Sequence, residues 1–152
     1  MNRRTLLLAP LALLLPPEAR PALAHSFALG AIQIGHPWAK PSATDVAAIF
    51  MALGNTGDKP DRLVAGSTPI ASEVIFRDRG GYPLEYYDLR PKRPVALRPG
   101  GRYIALRGLK IPLAIDDKFP LTLRFERAGT ITIEVLVEPG PEEPAAPPRP
   151  AG

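Results

Sequence analysis

Two segments late in the chain alternate between apolar and polar positions. Leu121-Thr122-Leu123-Arg124-Phe125 sends two Leu and a Phe to one face, and Thr130-Ile131-Thr132-Ile133-Glu134-Val135 does the same with Ile, Ile and Val. A period of two places alternate side chains on opposite faces, so each segment is a strand with a core side and a wet side. The Ala128-Gly129 pair between them supplies the turn. Upstream, Ala47 to Leu53 is almost continuously apolar and ends at Gly54-Asn55-Thr56-Gly57-Asp58, which reads as a buried strand running into a turn. Its β-branched and aromatic members favour strand over helix.

The rest of the folded region repeats this short-strand grammar. Ala31-Ile32-Gln33-Ile34-Gly35-His36 opens it, and Pro37, which has no N–H to donate, is expected to stop a continuous central ladder there. Arg62 to Gly66 and Glu73 to Arg77 follow. A hairpin-like turn at Asp78-Arg79-Gly80-Gly81 leads to Leu84 to Leu89. Val95-Ala96-Leu97 and Arg102 to Leu106 flank the turn Arg98-Pro99-Gly100-Gly101. Some eight short strands with regular Gly/Pro turns and no helical pattern predict an all-β single domain, an antiparallel sandwich or barrel. No internal repeat or linker divides it.

The two ends differ from this body. Met1-Asn2-Arg3-Arg4 is basic, Thr5 to Leu15 is apolar, and Pro21-Ala22-Leu23-Ala24 fits a small-x-small cleavage site. This is the pattern of an export signal over residues 1–24, cleaved after Ala24. Its apolar run is shorter than the about 20 residues a lasting transmembrane helix needs. The basic pair does not decide between the general and twin-arginine export routes. Residues 139–152 are Pro-rich with almost nothing to bury, and are expected to form a disordered tail after a folded domain of residues 25–138.

Charge and residue inventory narrow the chemistry. Without the signal, sixteen Lys and Arg face fourteen Asp and Glu, a net charge of +2. That is too mild, and too dispersed, for a nucleic-acid-binding face. Cysteine is absent, which removes disulfides, thiolate metal sites and cysteine nucleophiles together. No phosphate-binding Gly loop and no nucleophile-elbow pattern occurs. Only His25 and His36 could serve as a histidine base, with no orienting acid marked by the sequence, so no enzyme is expected. Cleavage after Ala24 would make His25 the first residue. It would then offer an α-amino group and an imidazole to Cu(II) as a chelate that weakens as pH falls. His36, beside Pro37 and Trp38, is a weaker candidate ligand. Met51, the only sulfur left, lies in the apolar run and reads as core filling.

Four stretches, in order, carry a resemblance: "IQIGHPWAKPS", "AAIFMALGNTGDKPDRLVAGSTPIASEV", "LRPGGRYIALRGLK" and "FPLTLRFERAGTITIEVLV". Together they resemble the periplasmic copper chaperone PCu(A)C family across nearly all of the folded part. The resemblance implies a cupredoxin-like Greek-key β-barrel, a periplasmic location, and copper carriage toward cytochrome c oxidase and its assembly factors. It also implies a Cu(I) site built from a His-x-Met pair, a further Met, and a second His-x-Met after the Pro-Gly-Gly turn. Laid on this sequence, those positions fall at Phe76 and Asp78, near Tyr87, and at Tyr103 and Ala105. None is a soft ligand, and no His or Met occurs from residue 52 onward. The expectation is a divergent member whose usual Cu(I) site is lost. Phe76, Tyr87 and Tyr103 would refill the pocket, and Asp78 with Arg77, Arg79 and Arg107 would form a charged rim. Copper is then expected from the family, or none at all, with Cu(II) at His25 as the alternative. The alternative is a metal-free periplasmic module that binds a protein or small ligand.

Overall fold

In a computed structural model, residues 26–141 are described. The expected signal segment, His25 and the tail from residue 142 lie outside the described residues. Eleven strands follow one another: β1 (Ser26–Leu29), β2 (Ile32–Ala39), β3 (Val46–Asn55), β4 (Asp61–Ser67), β5 (Ala71–Arg77), β6 (Pro83–Leu84), β7 (Tyr87–Leu89), β8 (Val95–Leu97), β9 (Tyr103–Leu109), β10 (Lys118–Phe125) and β11 (Gly129–Val137). They make one sheet in the order β6-β5-β9-β3-β2-β11-β10-β4-β7, with β1 paired to β2 and β8 to β3.

The sheet curls until its two ends meet. The side chain of Tyr87, on β7 at one end, bonds the backbone of Arg77, on β5 at the other. Leu84 to Leu89 is therefore not one strand but two, because the chain leaves β5's edge as β6 and pairs with β4 as β7. The barrel is also not wholly antiparallel: β11 and β2 run parallel at Leu136↔Trp38 and Val137↔Ala39. Pro37 does not end its strand. The β2–β3 ladder breaks between Gly35 and Trp38, His36 takes φ 45°, and pairing resumes at Trp38↔Phe50. The residue without an N–H thus sits in a bulge, where no ladder bond is asked of it.

Inside, the alternation read from the sequence becomes the core. Leu121, Leu123 and Phe125 of β10 and Ile133 and Val135 of β11 are buried against Ile32, Ile34, Leu53 and Leu63. At the turn entering β9, Gly100 has φ 78° and the Gly101 amide donates to the Arg98 carbonyl at 2.9 Å. Pro followed by Gly is the pair that such a turn selects, since Pro presets its own φ and Gly accepts the positive one.

One buried carboxylate pins the far end of the barrel. Asp61 Oδ1 accepts from the amides of Arg62 and Arg127, each at 2.8 Å, and Oδ2 accepts from that of Ala128 at 2.9 Å. Asp61→Asn keeps the shape but turns one acceptor into a donor facing an N–H. It is expected to lower the unfolding free energy by about 2 kcal/mol, the scale of a hydrogen bond to a charged group, as read from the denaturation midpoint at unchanged slope.

Candidate functional site

β5 and β9 lie side by side with Arg77 opposite Tyr103, Phe76 opposite Ile104, Ile75 opposite Ala105 and Glu73 opposite Arg107. On β9's other flank, β3 sets Ala48 against Ala105 and Val46 against Arg107. Paired residues share a face, and neighbours along a strand do not. The sheet therefore sorts the candidate positions into two groups. Phe76, with Ile104 and Leu106, faces the core. Tyr103 and Ala105 face outward, together with Arg77, Arg107 and Ala48.

On the inner face, Phe76 and Tyr87 pack with ring centroids 5.1 Å apart and planes tilted by 40°. Tyr87 is 1% exposed. Its hydroxyl accepts from the Arg77 amide at 3.0 Å and lies 2.8 Å from the Arg77 carbonyl and 2.6 Å from that of Tyr103, with one proton to donate between them. Burial pushes the phenol up to about 12, outweighing the Arg77 backbone bond and the Arg102 charge that act the other way. Its oxygen is a protonated clasp for two strands rather than a phenolate available to a metal. The aromatic refilling expected from the sequence thus unites Phe76 and Tyr87, while Tyr103 contributes only its carbonyl and turns its ring outward.

Asp78 closes a turn. Its Oδ1 accepts from the amides of Gly80 at 2.8 Å and Tyr82 at 2.9 Å, and its backbone pairs with Tyr82 and Gly81. Arg77 Nη1 donates to the Gly81 carbonyl at 2.8 Å, and Arg107 Nη1 lies 3.5 Å from Glu73 Oε2. Within the rim expected around Asp78, the Asp78 Oδ1 serves backbone amides and Arg107's acidic partner is Glu73.

The outer face holds a cleft of about 570 Å³ whose lining includes Lys40, Ala48, Arg77, Tyr103, Ala105 and Arg107. Two alanines meet across β3 and β9, so the floor dips between longer side chains on both sides. The sequence reading reached Tyr103, Ala105 and the two arginines, but not Lys40 or Ala48. Their part depends on strand pairing, and no local signal marks them.

His36 projects from the bulge of β2, and its Nε2 lies 3.0 Å from Glu138 Oε2. The neighbouring Trp38 ring packs on Phe50 with centroids 4.7 Å apart. Met51 is buried in the core. His25 lies outside the described residues. Among the described residues, no group of three or more His, Cys, Asp or Glu is placed to hold a metal ion. Phenyl, carboxylate, phenol and methyl groups do not meet the preference of Cu(I) for thioether and imidazole, so Phe76, Asp78, Tyr87, Tyr103 and Ala105 do not fit that ion, and neither does the guanidinium of Arg77 beside Tyr103.

Comparisons with known proteins bear on this barrel. The family described as "Putative lipoprotein LpqE-like" matches residues 32–137. "Putative lipoprotein Lxx21020" of Leifsonia xyli subsp. xyli (strain CTCB07) is 28% identical over 115 residues, which cover 70% of this chain and 69% of that protein. Among solved structures, the apo PCuAC domain from PmoF1 is 28% identical with a TM-score of 0.71, over 75% of this chain and 98% of that one. The copper-bound PCuAC domain from PmoF2 is 30% identical with a TM-score of 0.71, over 75% of this chain and 97% of that one.

Proposed function

The chain belongs to the LpqE-like, PCuAC-type family, and on that premise we propose that it is an exported periplasmic protein of copper handling that does not grip Cu(I) at the family's strand position. The observation that carries this reading is the outer face of β5 and β9. Within a barrel that superimposes on copper-binding PCuAC domains, that face presents Arg77, Tyr103 and Ala105. The copper it serves is cargo on the way to cytochrome c oxidase, and its partner is an oxidase assembly factor or another periplasmic protein. No catalytic step and no nucleic-acid contact is part of the proposal.

Direct metal contact then falls to His25, once cleavage after Ala24 frees its α-amino group beside its imidazole. His36 is the weaker site, since Glu138 already engages its Nε2. The mass of the exported protein tests the cleavage. Protein beginning at His25 should bind Cu(II), and His25→Ala should lower that affinity at least tenfold, because one of two chelating nitrogens is removed. In competition with a Cu(I) chelator the same protein should take up negligible Cu(I). Sub-nanomolar Cu(I) binding would overturn the lost-site reading.

The cleft favours a second reading, a metal-free binding module. Three cations around an alanine floor suit a ligand site better than a metal centre.

A further inference from the structure

We infer that the cleft over β3, β5 and β9 is a binding site for a small organic carboxylate with an apolar body. This rests on the second reading above and names its ligand class. The floor comes from the direct pairing of Ala48 with Ala105. Two methyl groups side by side leave room that larger residues would fill, and Tyr103 walls that room at one end. The volume of about 570 Å³ falls within the roughly 300–1,000 Å³ usual for small-molecule sites.

The polar lining has one sign. Among the described residues, Lys40, Arg77 and Arg107 border the cleft and no Asp or Glu lines it. Arg107 is half-committed to Glu73 at 3.5 Å, its direct partner in the β5–β9 pairing and on the same outer face as the alanine floor. Arg77 is different. One of its nitrogens donates to the Gly81 carbonyl, a fixed neutral acceptor that holds the side chain in place without neutralising its charge. A guanidinium anchored by one nitrogen and lining the same cleft as an apolar floor is suited to receive a carboxylate on its remaining N–H groups. Arg77 and Arg107 stand four β9 residues apart in register, about 13 Å along the strand. A ligand body that lies on the alanines can therefore set its carboxylate at Arg77 without spanning both arginines.

Calorimetry of the mature, metal-free chain at low ionic strength tests this with 4-phenylbutyrate as the probe and 4-phenylbutyramide as its uncharged counterpart. The acid should bind saturably at one site, and the amide at least tenfold more weakly. Arg77→Gln should weaken the acid at least tenfold, and Ala105→Leu, which fills the floor, should abolish binding while unfolding stays cooperative. Amide-resonance shifts on adding the acid should centre on Ala48, Arg77, Tyr103 and Ala105, which keeps the test decisive should the filled variant fail to fold. Equal binding of acid and amide, equal competition by inorganic phosphate, shifts centred elsewhere, or no saturable binding would each overturn the inference. The Cu(I) competition is read separately, so failure of this site and failure of the lost-metal reading give different results.

Discussion

Truncating Tyr87 to alanine is expected to lower the unfolding free energy by about 3–5 kcal/mol, the range for a buried aromatic replaced by a methyl group. The ring is buried against Phe76. Tyr87→Phe separates the ring from the hydroxyl. It keeps the packing but strands the Arg77 amide and two carbonyls that the hydroxyl now serves, at a cost of about 1–3 kcal/mol for buried groups left unpaired. The phenol also ties this clasp to pH. Its folded pKa of about 12 lies above the ordinary 10, so the neutral form is the one the fold favours. The associated stability is whole below pH 10 and is lost as pH rises toward 12. Two pKa units correspond to roughly 2–3 kcal/mol. The stability gap between wild type and Tyr87→Phe should therefore close between pH 10 and pH 12. A gap that stays constant across that window, measured by urea denaturation at each pH, would show that the hydroxyl does not carry this linkage.

How far the sequence speaks for the fold depends on what each residue's neighbours are. Leu121 to Phe125 announces its inward face because every second residue is apolar and the others are not. The Pro99-Gly100 turn announces itself because few residues accept its backbone angles. Val74-Ile75-Phe76 does neither. All three are apolar, so alternation cannot say which of them points inward. The register resolves it: Phe76 pairs with Ile104 on the core side, and Arg77 stands across from Tyr103. Short elements escape for a similar reason. β6 and β7 occupy two and three residues, too few for a pattern, and only the closing of the barrel tells them apart. Lys40, Ala48 and Glu138 take their places through pairings between distant segments, as in the contact of Glu138 with His36.

The same register makes a strong prediction about copper. Arg77→His, Tyr103→His and Ala105→Met combined should raise Cu(I) affinity by about 10³-fold or more over wild type, roughly 4 kcal/mol on the tenfold-per-1.4 scale. The two imidazoles would come from directly paired residues, whose Cα atoms lie about 4.5–5.5 Å apart, close enough to reach one ion. The thioether would enter two residues along β9 on the same face. Imidazole and thioether together restore the soft donor set that arginine, phenol and methyl groups lack. The matching control moves one substitution by a single residue: Phe76→His with Tyr103→His and Ala105→Met. That imidazole would point into the core, across the sheet from the other two donors. The control should therefore gain far less Cu(I) affinity and lose stability through a buried polar ring in place of Phe76. Competition against a Cu(I) chelator reads both. If the Phe76 combination bound as tightly as the Arg77 one, the face assignment on which the lost site and the carboxylate cleft both depend would be wrong.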